Sequence, residues 1–262
     1  VCNGLARFSS KNPDSSELSH VHHGTTVGTN AILEGKTAKT ALITTDGFRD
    51  VLEIGRQERS NLYDLSFTRS SPVIQRSLRF TVLERIGPEG KIIEDLDEDE
   101  LERVVKMIPD SVETVAVCTL FSFTNPAHER KIGKYLTEAG FRDVTLSSDV
   151  LPEIREYERT TTTAINASLK PVFRDYLGQL EGRAENLGID AIWLVMQSNG
   201  GLVKPEVAKR EPVRTILSGP AGGVKGAQFI ASSAGFEDVL TLDMGGTSAD
   251  VCMIKGGDAA VT

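Results

Sequence analysis

The chain has 262 residues with a formal net charge of −8; 39% of its residues are hydrophobic and 25% are charged. This composition is that of a globular protein with a sizeable core. Because the sequence has no Lys/Arg stripe and no apolar run of about 20 residues, it argues against nucleic-acid and membrane partners. Its three cysteines lack metal-ligand spacing, which favours a reducing, cytoplasmic location.

Short apolar runs alternate with amphipathic stretches along the chain, which is typical of an α/β fold. A strand is predicted within 18–26, followed by a helix that ends near Gly35 and a second strand at 39–45. Residues 77–96 alternate apolar and polar side chains on both sides of the turn "GPEG" at 87–90. This pattern predicts a β-hairpin.

The alternation continues through the middle of the chain. An acidic first turn and helical period predict a helix at 97–108, and the apolar run 112–123 predicts a buried strand. Residues 125–140 begin with Asn-Pro and end with Gly, which predicts a capped helix. Helical periodicity from 158 to 187 is interrupted by Pro171, so we expect a kink or two helices there.

The last third of the chain is rich in glycine. Residues 191–201 predict a strand that runs into a polar Gly turn, and 218–235 predict a Gly-rich segment followed by a helix. Small residues let a second backbone pack closely against a helix, and a Gly-rich helix start offers its amides to an anion. A helix-packing seam is the competing interpretation of this segment.

Residues 240–254, "LTLDMGGTSADVCMI", predict a hairpin whose turn suits a polyphosphate and a metal ion. Glycines lack Cβ, so backbone N–H groups can close on phosphate oxygens, and hydroxyls add donors. The candidate cofactor-binding residues of the turn are Gly245, Gly246, Thr247 and Ser248. Asp243 is the candidate metal ligand, holding Mg²⁺ or its waters, and Asp250 is a second candidate catalytic carboxylate. An ordinary tight hairpin explains Gly-Gly equally well.

Histidines and an arginine near the start of the chain supply further candidates. His20 and His22 share one strand face, at a spacing that suits Zn²⁺, but no third ligand stands nearby in sequence. Solvated or packed histidines are therefore favoured, and His23 is the better functional candidate. Arg56 is either a substrate contact or part of a surface ion pair.

Four stretches together resemble the hydantoinase A/5-oxoprolinase family, which includes ATP-binding subunits of N-methylhydantoinases and acetone carboxylases. They are "HGTTVGTNAILEGK" with "ALITTDGFRDVLEIGRQ", then "MQSNGG", "SGPAGGVKGA" and "DMGGTSADV". The last two also resemble the hinge helix and second phosphate loop of actin, sugar-kinase and heat-shock-chaperone ATPases. The resemblance implies an α/β, actin-like (ribonuclease H-like) ATPase fold with mixed sheets flanked by helices.

The resemblance also implies roles for individual residues. It places Asp243 near Mg²⁺ and Gly245, Gly246 and Thr247 at the phosphates. Beside the nucleotide it places Ser218, Gly219, Gly222 and Gly223. The candidates on the substrate side are His23, Thr25, Thr26, Arg56 and Asn199.

By the same resemblance, residues 1–225 are the first lobe, with a hairpin and a βαβα segment at about 77–148. Residues 226–262 are then the interlobe helix and the first hairpin of the second lobe. Family members begin with another D-x-G-G-T hairpin, which residues 1–19 lack, and they continue beyond the position of Thr262. We therefore expect an incomplete fold, a fragment that is inactive alone.

The implied reaction uses ATP and Mg²⁺ to phosphorylate the carbonyl oxygen of a cyclic amide of the hydantoin or 5-oxoproline type. A companion hydantoinase B-like subunit or domain then completes the hydrolysis. The ATP-using subunit of an acetone or ketone carboxylase is an alternative, because it shares these motifs. A nucleotide-incompetent scaffold or interaction module is the alternative from another class, and a homo-oligomer is left open.

Overall fold

The structure is a computed structural model that describes residue 4 and residues 18–58, 71–244 and 249–259. Its strands are β1 His20–His23, β2 Thr40–Thr45, β3 Arg79–Val82, β4 Arg85–Ile86, β5 Ile92–Glu94, β6 Thr114–Cys118, β7 Asp143–Leu146, β8 Ile192–Met196, β9 Leu202–Val203, β10 Val239–Met244, β11 Ala249–Lys255 and β12 Asp258–Ala259. Its α-helices are α1 Val27–Leu33, α2 Val51–Ile54, α3 Glu98–Met107, α4 Ala127–Glu138, α5 Ser147–Val150, α6 Glu156–Asn186, α7 Pro205–Arg210 and α8 Ser218–Ser233.

The predicted α/β class and mixed sheets are confirmed. The chain divides into two compact units, a central unit of residues 37–171 and a terminal unit of residues 1–36 and 172–262. The predicted lobe boundary at 225/226 lies inside α8, and the division into lobes stays a prediction. None of the helices in the described ranges has the length and apolarity that crossing a bilayer requires.

The central unit is built on a parallel sheet with the strand order β3-β2-β6-β7. Every residue of β2 and β6 is buried, as expected for parallel strands that are covered on both faces. The core of this unit packs the sheet against Leu101 and Val104 of α3 and Ile132 and Leu136 of α4. The chain leaves β2 for β3 on one side and later adds β6 on the other, so the carboxyl ends of β2 and β6 form a topological switch point.

The hairpin predicted at 77–96 is half right. Strands β4 and β5 pair antiparallel around the turn 87–90, as predicted. Residues 79–82, however, form β3 and pair in parallel with β2. The alternation of Phe80 and Val82 with polar residues specifies a half-buried strand but not its partner, and burial of both side chains in the central core decides the pairing.

Helix α6 is a single helix of 31 residues that contains Pro171, so the alternative of two helices is wrong. A proline inside a helix costs about 3 kcal/mol because it removes one backbone hydrogen bond and crowds the preceding turn. Fully buried side chains lie on both sides of it, among them Leu169 and Phe173. Each contributes about 1.5–3 kcal/mol of burial, which outweighs that cost.

The terminal unit has two small sheets. In the first, β1 pairs in parallel with β8, and β9 pairs antiparallel with β8. In the second, β10, β11 and β12 form an antiparallel meander, which confirms the hairpin predicted at 240–254. Helix α8 includes the whole Gly-rich segment from Ser218 onward, so the glycines lie within the helix rather than before it.

Candidate active site

Asp243 and Asp250 form a carboxylate pair next to the turn of the β10–β11 hairpin. They are direct register partners, and side chains so placed on one face of a sheet have Cβ atoms about 4.5–5.5 Å apart. The turn residues Gly245, Gly246, Thr247 and Ser248 lie outside the described residues. Like charges this close repel each other, so the pair is suited to a shared cation.

The carboxylate pair is suited to Mg²⁺ rather than to a metal ion whose ligands all come from the protein. In the described part of the chain, no group of three or more His, Cys, Asp or Glu side chains is arranged to hold a metal ion. Mg²⁺ commonly takes one or two carboxylates and completes its shell with water and phosphate oxygens. Asp243 and Asp250 are therefore the residues that would hold it.

Both carboxylates line an open cavity of about 770 Å³ in the terminal unit. This volume lies within the range of small-molecule sites. Lys225 of α8 is the one basic residue among the described lining residues. The glycine at 223 on the same helix lies beside the carboxylate, since a Cβ there would be 3.8 Å from Asp243 Oδ2. The cavity thus combines two carboxylates, one ammonium and, at Gly223, a position without a side chain beside Asp243.

Two other glycines of α8 are packing positions. A Cβ on Gly219 would lie 2.9 Å from Cγ2 of Thr26, and a Cβ on Gly222 would lie 3.1 Å from Sδ of Met196. Both contacts are tighter than ordinary van der Waals packing. This supports the packing-seam interpretation for Gly219 and Gly222, whose contact with a nucleotide stays a prediction.

The start of α8 is joined to the "HGTT" loop by reciprocal hydrogen bonds. The Ser218 hydroxyl accepts from the Thr25 N–H at 3.3 Å and donates to the Thr25 carbonyl at 3.1 Å, and both residues are buried. Thr29 Oγ1 accepts from the Leu217 N–H at 3.1 Å. The structure therefore brings two predicted motifs together, and it commits the Ser218 hydroxyl to Thr25.

The three histidines of β1 differ in environment. His23 is buried and its Nε2 lies 2.7 Å from the hydroxyl of Tyr176 on α6. Burial holds the pKa of His23 below its usual value. His20 and His22 are exposed with their rings edge to face, and among the described residues they have no third metal ligand. His23 is therefore packed and hydrogen-bonded, and its role on the substrate side stays a prediction.

The remaining two substrate-side candidates belong to different units. Asn199 lines the cavity with the carboxylate pair, and its Oδ1 accepts from the Gly201 N–H at 2.8 Å, which closes the turn after β8. Arg56 lies in the central unit, where its Nε donates to Glu158 at 2.6 Å. The ion pair that was one of its two predicted roles is present, and Arg56 also lines a second cavity.

The sequence interpretation missed a buried polar cluster at the carboxyl ends of the central sheet. Nδ1 of His128 lies 2.6 Å from Oε2 of Glu84, and the Thr45 hydroxyl donates to the other oxygen of that carboxylate. All three side chains are buried. The signal was present, because Thr45 ends β2 and Glu84 closely follows β3, and polar residues at such positions often build sites.

The second half of this cluster links a buried carboxylate to a buried guanidinium. Glu129 accepts from the Thr119 N–H at 2.9 Å and from the Ser147 hydroxyl at 2.6 Å. Arg159 donates to the Thr119 carbonyl at 2.9 Å and also to the hydroxyl of Ser122. The side chains of the cluster are buried and hydrogen-bonded to one another or to backbone groups, although Nε2 of His128 and Nε of Arg159 have no hydrogen-bond partner in the described structure. Their mutual hydrogen bonds stabilise the switch point.

Two family models match this chain. The model of the hydantoinase/oxoprolinase N-terminal region matches residues 1–140, and the hydantoinase/oxoprolinase model matches residues 159–262. The caprolactamase subunit alpha of Pseudomonas jessenii is 36% identical over 240 residues, which is 90% of this chain and 34% of that protein. The 5-oxoprolinase 1 of Arabidopsis thaliana is 35% identical over 263 residues, which is 92% of this chain and 20% of that protein.

Two solved structures share the fold. The crystal structure of ATP-dependent caprolactamase from Pseudomonas jessenii matches with a TM-score of 0.83 and 33% identity over 96% of this chain and 38% of the other. Nucleotide-free acetone carboxylase matches with a TM-score of 0.80 and 27% identity over 90% of this chain and 35% of the other. These matches confirm the predicted α/β fold of the actin-like ATPase type.

The chain spans between a fifth and about two fifths of the length of these relatives. The matched regions nevertheless cover nearly all of it, including the carboxylate pair and the "HGTT" loop. The family resemblance inferred from four sequence stretches is therefore confirmed: this chain belongs to the hydantoinase/oxoprolinase family.

Proposed function

We propose that this chain is the nucleotide-binding part of an ATP-dependent enzyme that opens a cyclic amide by phosphorylating its carbonyl oxygen. The observation that carries the proposal is the Asp243–Asp250 pair at the cavity of the terminal unit, in a chain of this family. Relatives named caprolactamase and 5-oxoprolinase support the substrate class. The activity, substrate and partners of the whole protein are proposals, because the chain spans a minor part of those relatives.

In this proposal the chain's own residues bind and orient the cofactor. Asp243 and Asp250 hold Mg²⁺ or its waters, and the ammonium of Lys225 offsets phosphate charge from the α8 side of the cavity. The backbone amides and side-chain hydroxyls of residues 245–248 are the proposed hydrogen-bond donors to the phosphate oxygens. Bound Mg-ATP supplies the phosphoryl group that turns an unreactive amide carbonyl into an activated one.

The partner and the location follow as further proposals. The name "caprolactamase subunit alpha" says that this relative has a companion subunit, and we propose a hydantoinase B-like subunit or domain for this protein. Cys118 and Cys252 are unpaired thiols, which supports a reducing, cytoplasmic location.

A ketone carboxylase is the second candidate, and the likeness to acetone carboxylase favours it. The test is steady-state ATP hydrolysis by the intact protein with hydantoin, 5-oxoproline, a neutral lactam, or acetone plus bicarbonate. Stimulation by a cyclic amide supports the proposal, whereas bicarbonate-dependent turnover of acetone replaces it with the carboxylase. Calorimetry with Mg-ATP tests the scaffold alternative. That alternative predicts a Kd of about 1 mM or higher, which corresponds to a binding free energy of roughly −4 kcal/mol or weaker.

A further inference from the structure

The central unit has a cavity of its own, with a volume of about 530 Å³. The cavity is lined by residues of α2 and of the turn that follows it as far as residue 58. Residues 71–73 and the first turns of α6 complete the lining. The volume is sufficient for a small organic molecule. Neither the carboxylate pair nor Lys225 is among its lining residues, so its chemistry is distinct from that of the proposed nucleotide site.

The backbone that forms one wall adopts unusual conformations. Gly55 has φ 55° and ψ −147°, a region that is open essentially to glycine alone. Gln57 has φ 58°, in the left-handed region that a non-glycine residue seldom occupies. Glycine adopts its conformation here without strain, so Gln57 is the strained residue of the turn, and such residues cluster at binding sites. Here the strained turn contributes Arg56, Gln57 and Glu58 to the cavity.

On the opposite wall, Thr161 of α6 lines the cavity while its hydroxyl oxygen is buried and has no hydrogen-bond partner in the described structure. A buried hydroxyl without a partner is unfavourable. Threonine in a helix divides between two χ1 rotamers, and rotation between them exchanges the positions of the hydroxyl and the methyl group. The hydroxyl is therefore available to a ligand acceptor.

The charges of the described lining residues disfavour an anion. The guanidinium of Arg56 is paired with Glu158 at 2.6 Å, and the carboxylate of Glu53 is paired with Arg79 at 2.9 Å. Glu58 adds a further negative charge to the wall. Because the charge of Arg56 is neutralised by its ion pair, no unopposed positive charge remains among the described lining residues to attract a phosphate or a carboxylate.

We propose that this cavity binds the cyclic amide as a neutral molecule. The amide carbonyl accepts from Thr161 and from the guanidinium of Arg56, and the amide N–H donates to Glu58. The ring packs on the apolar side chains of Leu52 and Val73, which also line the cavity. An amide matches this wall because it offers one acceptor and one donor without net charge. The inference rests on the proposed function, since it names where that function's substrate binds.

The test is binding of two matched ligands to the intact protein without nucleotide, measured by calorimetry or saturation-transfer NMR. 2-Pyrrolidinone is a neutral five-membered lactam, and 5-oxoproline is the same ring with a carboxylate. We expect 2-pyrrolidinone to bind more tightly, and we expect Thr161→Val and Arg56→Gln each to weaken its binding about 5- to 10-fold. Thr162→Val, the neighbouring residue outside the cavity lining, is the control and should bind as the parent protein does.

The outcomes separate this inference from the proposed function. Equal lactam binding by the parent protein and both cavity variants, tighter binding of 5-oxoproline, or no lactam binding overturns the cavity assignment. If a cyclic amide still stimulates ATP hydrolysis in those cases, the proposed function stands without this site. Asp243→Asn should leave lactam binding unchanged, and a loss of binding in that variant would also contradict a site in the central unit.

Discussion

Asp243 and Asp250 face each other across the β10–β11 hairpin as direct register partners, on the same face of the sheet and in one cavity. Opposed like charges destabilise an antiparallel pair. Such an arrangement is favourable once a divalent cation lies between or beside the carboxylates. Removing one of the two carboxylates should therefore lower activity without lowering the stability of the protein in the absence of nucleotide.

The Asp243→Asn variant should lose ATP hydrolysis in the intact protein, because the amide is a poorer ligand for Mg²⁺ than the carboxylate. Its stability without nucleotide should be unchanged or slightly raised, since one of two repelling charges is removed. Phosphate release and urea unfolding measure the two effects. Asp258→Asn, an exposed aspartate on β12, is the control. Unchanged turnover in Asp243→Asn would refute the role assigned to this carboxylate.

The Ser218→Ala variant should be less stable by about 1–3 kcal/mol. The change leaves the buried N–H and carbonyl of Thr25 without their side-chain partner, and each unsatisfied group carries a desolvation cost. Chemical unfolding measures the difference. Ser232→Ala, at an exposed position of the same helix, should change stability by no more than about 0.5 kcal/mol. Equal effects of the two substitutions would show that the Ser218–Thr25 contact is energetically unimportant.

The buried imidazole of His23 predicts a pH dependence of stability. Burial lowers its pKa in the folded state below the ordinary value of 6.5, so the unfolded chain takes up the proton first as the pH falls. Stability should therefore decline from about pH 6.5 downward, by at most about 1.4 kcal/mol per pH unit, until the folded-state pKa is passed.

The measurement is unfolding free energy at several values from about pH 8 to pH 5. His23→Gln should show a smaller decline than the parent protein, because the titrating group is gone. His22→Gln removes an exposed histidine of the same strand and should keep the parent slope. An identical slope in all three proteins would mean that His23 titrates alike in the folded and unfolded states.

The Glu129→Gln variant should destabilise the central unit by about 3 kcal/mol or more. One carboxylate oxygen accepts from the N–H of Thr119 and the other from the N–H of Ser148. Either orientation of the glutamine amide therefore places an NH₂ group against a backbone donor. Glu138→Gln, an exposed position on the same helix, is the control. A loss no larger than that of the control would show that the cluster is not a determinant of stability.

Helix ends and hairpins of this fold could be predicted from the sequence because each depends on residues that are close together in the chain. The helix predicted at 97–108 spans 98–107, and the Asp97 carboxylate caps it by accepting from the Glu100 N–H. The hairpin predicted at 240–254 was likewise marked by two apolar strands around a Gly-rich turn. A cap and a strand period each depend on residues within a few positions of one another.

Tertiary structure decided the features that join distant residues. Ser218 and Thr25 are 193 positions apart, and no local pattern predicts that they share two hydrogen bonds. The pairing of β3 with β2, and the meeting of Glu84 with His128 beneath the surface, depend in the same way on which elements pack together. Periodicity states which face of an element is buried, whereas the partner that covers that face is chosen by the packing of the whole unit.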